Sequence, residues 1–157
     1  MQEAFYPFTL QDREVRYEFI SRSPEKEVTK VVLLTATDNV QVYNLALLDL
    51  LKDGSLCDIV ETKNKDFKIV LATVFRIIIH FLEAKPSHYV VFSGSDPRRH
   101  RLYRMVLSRE LAGISKTFRV LGISDGIFEE FRLNTNYRYY LIGNYEREKQ
   151  TGNYKSS

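Results

Sequence analysis

The chain has 157 residues, of which 44% are hydrophobic and 13% aromatic: enough apolar surface for one continuous core, and too short a chain for two. Its 23 lysines and arginines stand against 20 aspartates and glutamates, so a net charge of +3 excludes strong attraction to nucleic acid or anionic membrane through overall charge. Strong anion binding must therefore be local. The single cysteine, Cys57, excludes an internal disulfide and a thiolate zinc cluster, and suits a reducing compartment.

The start, Met-Gln-Glu-Ala-Phe, is acidic and carries no apolar run, so no secretory signal is expected. The most apolar stretch, 67–82, is interrupted by Lys68, Arg76 and His80 and falls short of the roughly 20 residues that span a bilayer. These features predict a cytoplasmic protein with no membrane contact.

The first half reads as strands. In 15–21 (VRYEFIS) apolar and polar residues alternate, Ser23-Pro24 marks a turn, and 30–37 (KVVLLTAT) reads as a strand buried on both faces. Asp38-Asn39 reverses the chain into 40–50, where alternation favours a strand although 45–51 (LALLDLL) also fits a helical turn. Asp53-Gly54 reverses it again into a fourth strand over 56–61. Four strands in succession predict an antiparallel meander.

The period then changes. Over 66–85 the polar residues Thr73, Arg76, His80 and Glu83 fall on one narrow stripe of an otherwise apolar helix, with Asp66 as N-cap and Pro86 just past the end. A short buried strand (88–92) leads to a second helix from Pro97 to about Ala112, with Gly113 as its stop. Strands at 118–123, 128–133 and 137–142 complete the sheet, with a Ser-Asp-Gly turn at 124–126. The expected class is α+β: a largely antiparallel sheet carrying two main helices, in the order β-β-β-β-α-β-α-β-β. Residues 1–143 are expected to form a single domain and 144–157 a polar, mobile tail.

One stretch stands apart from scaffold: FSGSDPRRHRLYR, 92–104. A strand end delivers Ser93 and Ser95 to the start of a helix whose free N–H groups and positive dipole end favour an anion. Arg98 and Arg99 stand on the first turn, and Arg101 adds a cation on a face shared with Arg104 and turned toward water. Cations at a helix start cost about 0.3–1 kcal/mol each, which asks for a negative partner. Ser93, Ser95, Arg98, Arg99 and Arg101 are thus the candidate anion site; internal ion pairs to Asp96, Glu61 or Glu110 are the alternative. Tyr103, one turn beyond Arg99, shares its face.

Other patterns point less sharply. In 136–147 (NYRYYLIGNYER) tyrosine and arginine interleave as on single-strand nucleic-acid platforms, although tyrosines in a strand are commonly sheet packing. His80, His88 and His100 lack zinc-site spacing, His80 reading as a satisfied core histidine; G-x-S-x-G and a Walker loop are absent.

The order of elements over 30–142 resembles the core of the GNAT-type acyl-CoA N-acyltransferase superfamily. DPRRHRLY (96–103) is similar in spacing to that superfamily's N-x-x-A-x-x-L-Y, with Asp96 and Arg99 in place of the asparagine and the small residue. The resemblance implies that Tyr103 is a general acid for the leaving coenzyme A thiolate. It breaks at NKDFKIVLA (64–72), which has none of the glycines with which the superfamily's pyrophosphate turn holds its cofactor, so no bound cofactor is expected. The chain also resembles a small bacterial family, met mostly in Bacteroidetes and labelled only as a domain of unknown function, through Gly94, Ser95, Arg99, Arg101, Leu102 and Tyr103.

Three functions fit these readings. The first is a module that binds a phosphate-bearing ligand, nucleic acid or nucleotide, on a GNAT-like scaffold lacking the cofactor turn. The second is a divergent acyltransferase, as the toxin of a toxin–antitoxin pair with a small protein partner. The third is a homodimeric interaction domain that pairs through a sheet edge or the tyrosine-rich last strand.

Overall fold

A computed structural model describes residues 4–11, 16–58, 66–94 and 97–145. Within them the chain forms β1 (Phe8–Gln11), β2 (Arg16–Arg22), β3 (Glu27–Ala36), β4 (Val42–Leu50), β5 (Leu56–Cys57), α1 (Phe67–Ala84), β6 (Tyr89–Phe92), α2 (Pro97–Ile114), β7 (Phe118–Ser124), β8 (Ile127–Glu130) and β9 (Tyr139–Asn144). The strands make one sheet in the order β1-β2-β3-β4-β6-β9-β7-β8, with β5 on β4. The protein is α+β, its sheet largely antiparallel, with two helices in the order read from the sequence. Among the described residues the parallel pair is β4 with β6, joined by the α1 crossover.

Strand register puts side chains of β2, β3, β4, β6, β9 and β7 in a continuous apolar face. Tyr17 lies opposite Val32, Val32 opposite Leu47, Tyr43 beside Val90, Val90 opposite Ile142, and Ile142 opposite Val120. Both helices pack on this face and the core lies between, so the fold is two layers. α2 contributes Tyr103, Val106 and Leu107, at helical spacing, whereas α1 is buried nearly all round. At the end of the same face Lys30 and Asp49, direct cross-strand partners, form a buried ion pair at 2.6 Å.

Only part of the polar stripe of α1 faces water: His80 and Glu83 are exposed, whereas the amino-terminal segment lies across Thr73 and Arg76. The Tyr6 amide donates to Thr73 Oγ1 (2.8 Å), the Arg76 guanidinium sits 4.6 Å above the Phe5 ring, and His80 Nδ1 is 2.9 Å from the Tyr17 hydroxyl with Phe8 edge-on. His80 is thus satisfied, but exposed rather than in the core. β1, which holds this segment down, is four residues long and gives too little alternation to be read.

Several boundaries differ from expectation: β8 ends at Glu130 rather than at 133, and β9 runs over Tyr139–Asn144 rather than 137–142. Asp66 occupies the N-cap position of α1 but makes no capping bond; its carboxylate accepts from the hydroxyls of Tyr6 and Ser21, both at 2.6 Å. α2 continues through Gly113 to Ile114. The strand expected over 56–61 is described only at Leu56–Cys57, and residues 59–61 lie outside the described residues. Of the tail expected over 144–157, Asn144 closes β9 and 146–157 lie outside the described residues.

Where β6 passes into α2, Gly94 is pressed against the helix. A Cβ on it would meet the His100 backbone nitrogen at 2.2 Å and the Arg99 carbonyl carbon at 2.7 Å, atoms that cannot move without moving α2. Gly94→Ala should therefore destabilise the protein by about 1–3 kcal/mol or more, read as a lower urea midpoint at unchanged slope.

Candidate anion-binding cleft

The start of α2 is tied down by His100. The Gly94 amide donates to His100 Nδ1 at 3.1 Å, so that nitrogen must be the bare acceptor of the ring. The proton then sits on Nε2, which donates to the Tyr137 carbonyl. The imidazole also stacks on Tyr140, with centroids 5.0 Å apart. One side chain thus joins the end of β6, the first turn of α2 and the approach to β9. Tyr137 is held in turn: its ring covers Gly122, where a Cβ would meet it at 2.3 Å, and its hydroxyl donates to Glu129 Oε2 at 2.5 Å. That bond, with Arg132 beside it, lowers the Glu129 carboxyl below its usual range.

These ties leave an open cleft of about 800 Å³ between the start of α2, the β7–β8 turn and residues 136–139. Arg101 and Arg104 line it from α2 and Arg138 from the facing segment, with Asp125 as the carboxylate on its wall. Among the described residues none of these three arginine side chains has an ion-pair partner. Behind the wall lies Tyr140, whose buried hydroxyl has no hydrogen-bond partner among the described residues. Burial pushes it up to about 12 despite the opposing pull of Arg104, so it remains a protonated donor.

A second, smaller opening lies on the other side of Ser93 and Gly94. β6 pairs with β4 only at Val42, Tyr43 and Asn44, and β5 takes up the same edge at Asp49 and Leu50. The interval between is a slot of about 200 Å³ lined by Leu45, Leu47, Arg99 and Tyr103. Arg99 Nη1 bridges it to the Asp58 carbonyl at 2.8 Å. Burial raises the Tyr103 phenol to about 12, with Arg99 pulling the other way.

The five expected anion-site residues are thus divided. Ser93 borders both openings, Arg99 belongs to the slot with Tyr103, and Arg101 belongs to the larger cleft. Arg98 is exposed on the first turn of α2, and neither it nor Arg99 is a free cation. Ser95 lies outside the described residues, as do Asp96 and Glu61; Glu110 is buried, 3.5 Å from Arg109 Nε. Arg101 and Arg104 face the cleft rather than bulk water alone, and the tyrosine–arginine stretch supplies the opposite wall through Arg138 and Tyr139. Sequence reasoning misses His100, Arg104, Arg138 and Asp125 as lining residues; the signal for one of them, Arg138, is the run 136–147, read separately from the arginine helix.

The profile of the Family of unknown function (DUF6934) matches residues 2–145, and the chain belongs to that family. No curated protein and no solved structure matches it. No described helix is long and apolar enough to cross a membrane, and no described group of histidine, cysteine and acidic side chains is arranged to hold a metal.

His100→Ala leaves the Gly94 amide and the Tyr137 carbonyl without their partner, and should cost about 2–4 kcal/mol. Arg101→Ala, at an exposed position, should stay within about 0.5 kcal/mol. Equilibrium unfolding of the two variants side by side separates the brace from the cleft lining.

Proposed function

We propose that this protein binds a phosphate-bearing ligand, of the nucleotide or nucleic-acid class, in the cleft lined by Arg101, Arg104 and Arg138. The observation that carries this is three guanidiniums converging on one opening with no ion pair among the described residues. Like charges gathered at one site repel, and an anion from outside relieves that cost. A guanidinium offers planar, paired donors that match phosphate oxygens. Pro97, at the positive end of the α2 dipole, lies on the same rim.

A second reading, acyl transfer, is favoured by one observation: Tyr103 lines the slot where β4 and β6 part, and its phenol is protonated at neutral pH, as a general acid must be. Stabilisation by an acyl-coenzyme A that is lost in Tyr103→Phe would support it.

The anion reading is tested with tripolyphosphate in a thermal shift at low salt. The melting temperature should rise with ligand concentration, because a ligand that binds only the folded state adds stability by mass action. Arg101→Glu combined with Arg104→Glu should weaken the apparent affinity at least tenfold, and added salt should weaken it in the native protein. A folded double variant that binds tripolyphosphate as well as the native protein overturns the reading.

A further inference from the structure

Resting on the anion-binding reading, we infer that the ligand of the cleft is a mononucleotide, its phosphates against Arg101 and Arg104 and its nucleoside against Tyr139 and Asp125. The two walls of the cleft differ in chemistry. The α2 wall is cationic, whereas the facing wall adds to Arg138 an aromatic ring, a carboxylate and the amide of Asn136.

Asp125 argues against a bare phosphate or polyphosphate. It sits in a two-residue loop with Gly126 between paired Ser124 and Ile127, and both loop residues are left-handed (φ 52° and 78°). This is the tight hairpin turn that Asp-Gly favours, and it fixes the carboxylate on the cleft wall. Among the described residues that carboxylate makes no hydrogen bond and no ion pair. Facing a simple anion it only repels. Facing a molecule anionic at one end and rich in O–H or N–H donors at the other, it accepts from the donor end, as carboxylates do from ribose hydroxyls.

Tyr139 supplies the remaining element. Tyr137 and Tyr140 are buried, 4% and 0% exposed, whereas Tyr139 is 40% exposed and lines the cleft. An exposed ring beside an arginine is a surface on which a base stacks. A volume of about 800 Å³ is far larger than a phosphate needs and within the range of sites for small organic ligands. A net charge of only +3, with a carboxylate in the opening, suits one nucleotide better than a strand that must be followed beyond it.

The test measures ATP, GTP, CTP and UTP, tripolyphosphate and a single-stranded heptanucleotide by calorimetric titration at one ionic strength. At least one nucleoside triphosphate should bind ten times more tightly than tripolyphosphate. Tyr139→Ala and Asp125→Asn, the latter keeping a side chain that tolerates the left-handed turn, should each remove most of that advantage without weakening tripolyphosphate. If tripolyphosphate matches every nucleotide, the nucleotide inference fails while the anion cleft stands; if none of the compounds binds, both fail. A heptanucleotide at least tenfold tighter than every mononucleotide also overturns the inference, in favour of a strand.

Discussion

The site depends on one imidazole. His100 accepts from the Gly94 amide with one nitrogen and donates to the Tyr137 carbonyl with the other, so a strand end, a helix start and the approach to the last strand share a single rigid link. The link can work only because Gly94 has no side chain and the helix backbone lies directly on it. Buried polar groups are costly unless paired, and here one ring pairs two backbone groups. The direction in which Arg101 and Arg104 leave α2 follows from where this link sets the helix.

From that junction the sheet opens in two ways. On one side β6 pairs with β4 for three residues and then parts from it, leaving the slot that Arg99 bridges and Tyr103 lines. On the other, α2 and the segment before β9 stand apart over the larger cleft. Ser93 and Gly94 separate the two. α2 therefore lines two openings with two faces: Arg99 and Tyr103, one turn apart, line the slot, while Arg101 and Arg104 line the cleft. The two openings are adjacent, sharing Ser93 and Gly94, though chemically unlike.

The strands and helices announced themselves because their periods are set by burial: alternation in Arg16–Arg22, the 103, 106, 107 spacing in α2, and the apolar girth of α1. β1 did not, since four residues show too little alternation, nor did the burial of Thr73, which arises from a segment docking on α1 from more than 60 residues away in sequence. The pair of Lys30 with Asp49 depends instead on the exact register of β3 against β4, which neither residue betrays locally. At the site, the arginine helix and the tyrosine–arginine stretch were each visible, but their meeting is a product of β9 entering between β6 and β7. Arg99 looked like a ligand-seeking cation because the carbonyl it reaches, that of Asp58, is a backbone group that composition cannot mark.

The role given to His100 has a direct spectroscopic consequence, because the two ring nitrogens of a neutral imidazole differ widely in 15N chemical shift according to which carries the proton. Long-range 1H–15N correlation spectra of the labelled protein should show His100 with a protonated Nε2 and a bare Nδ1, in one fixed tautomer. A ring protonated on Nδ1 instead, or one averaging between tautomers as a free side chain does, would contradict the link and with it the placement of α2 and its arginines.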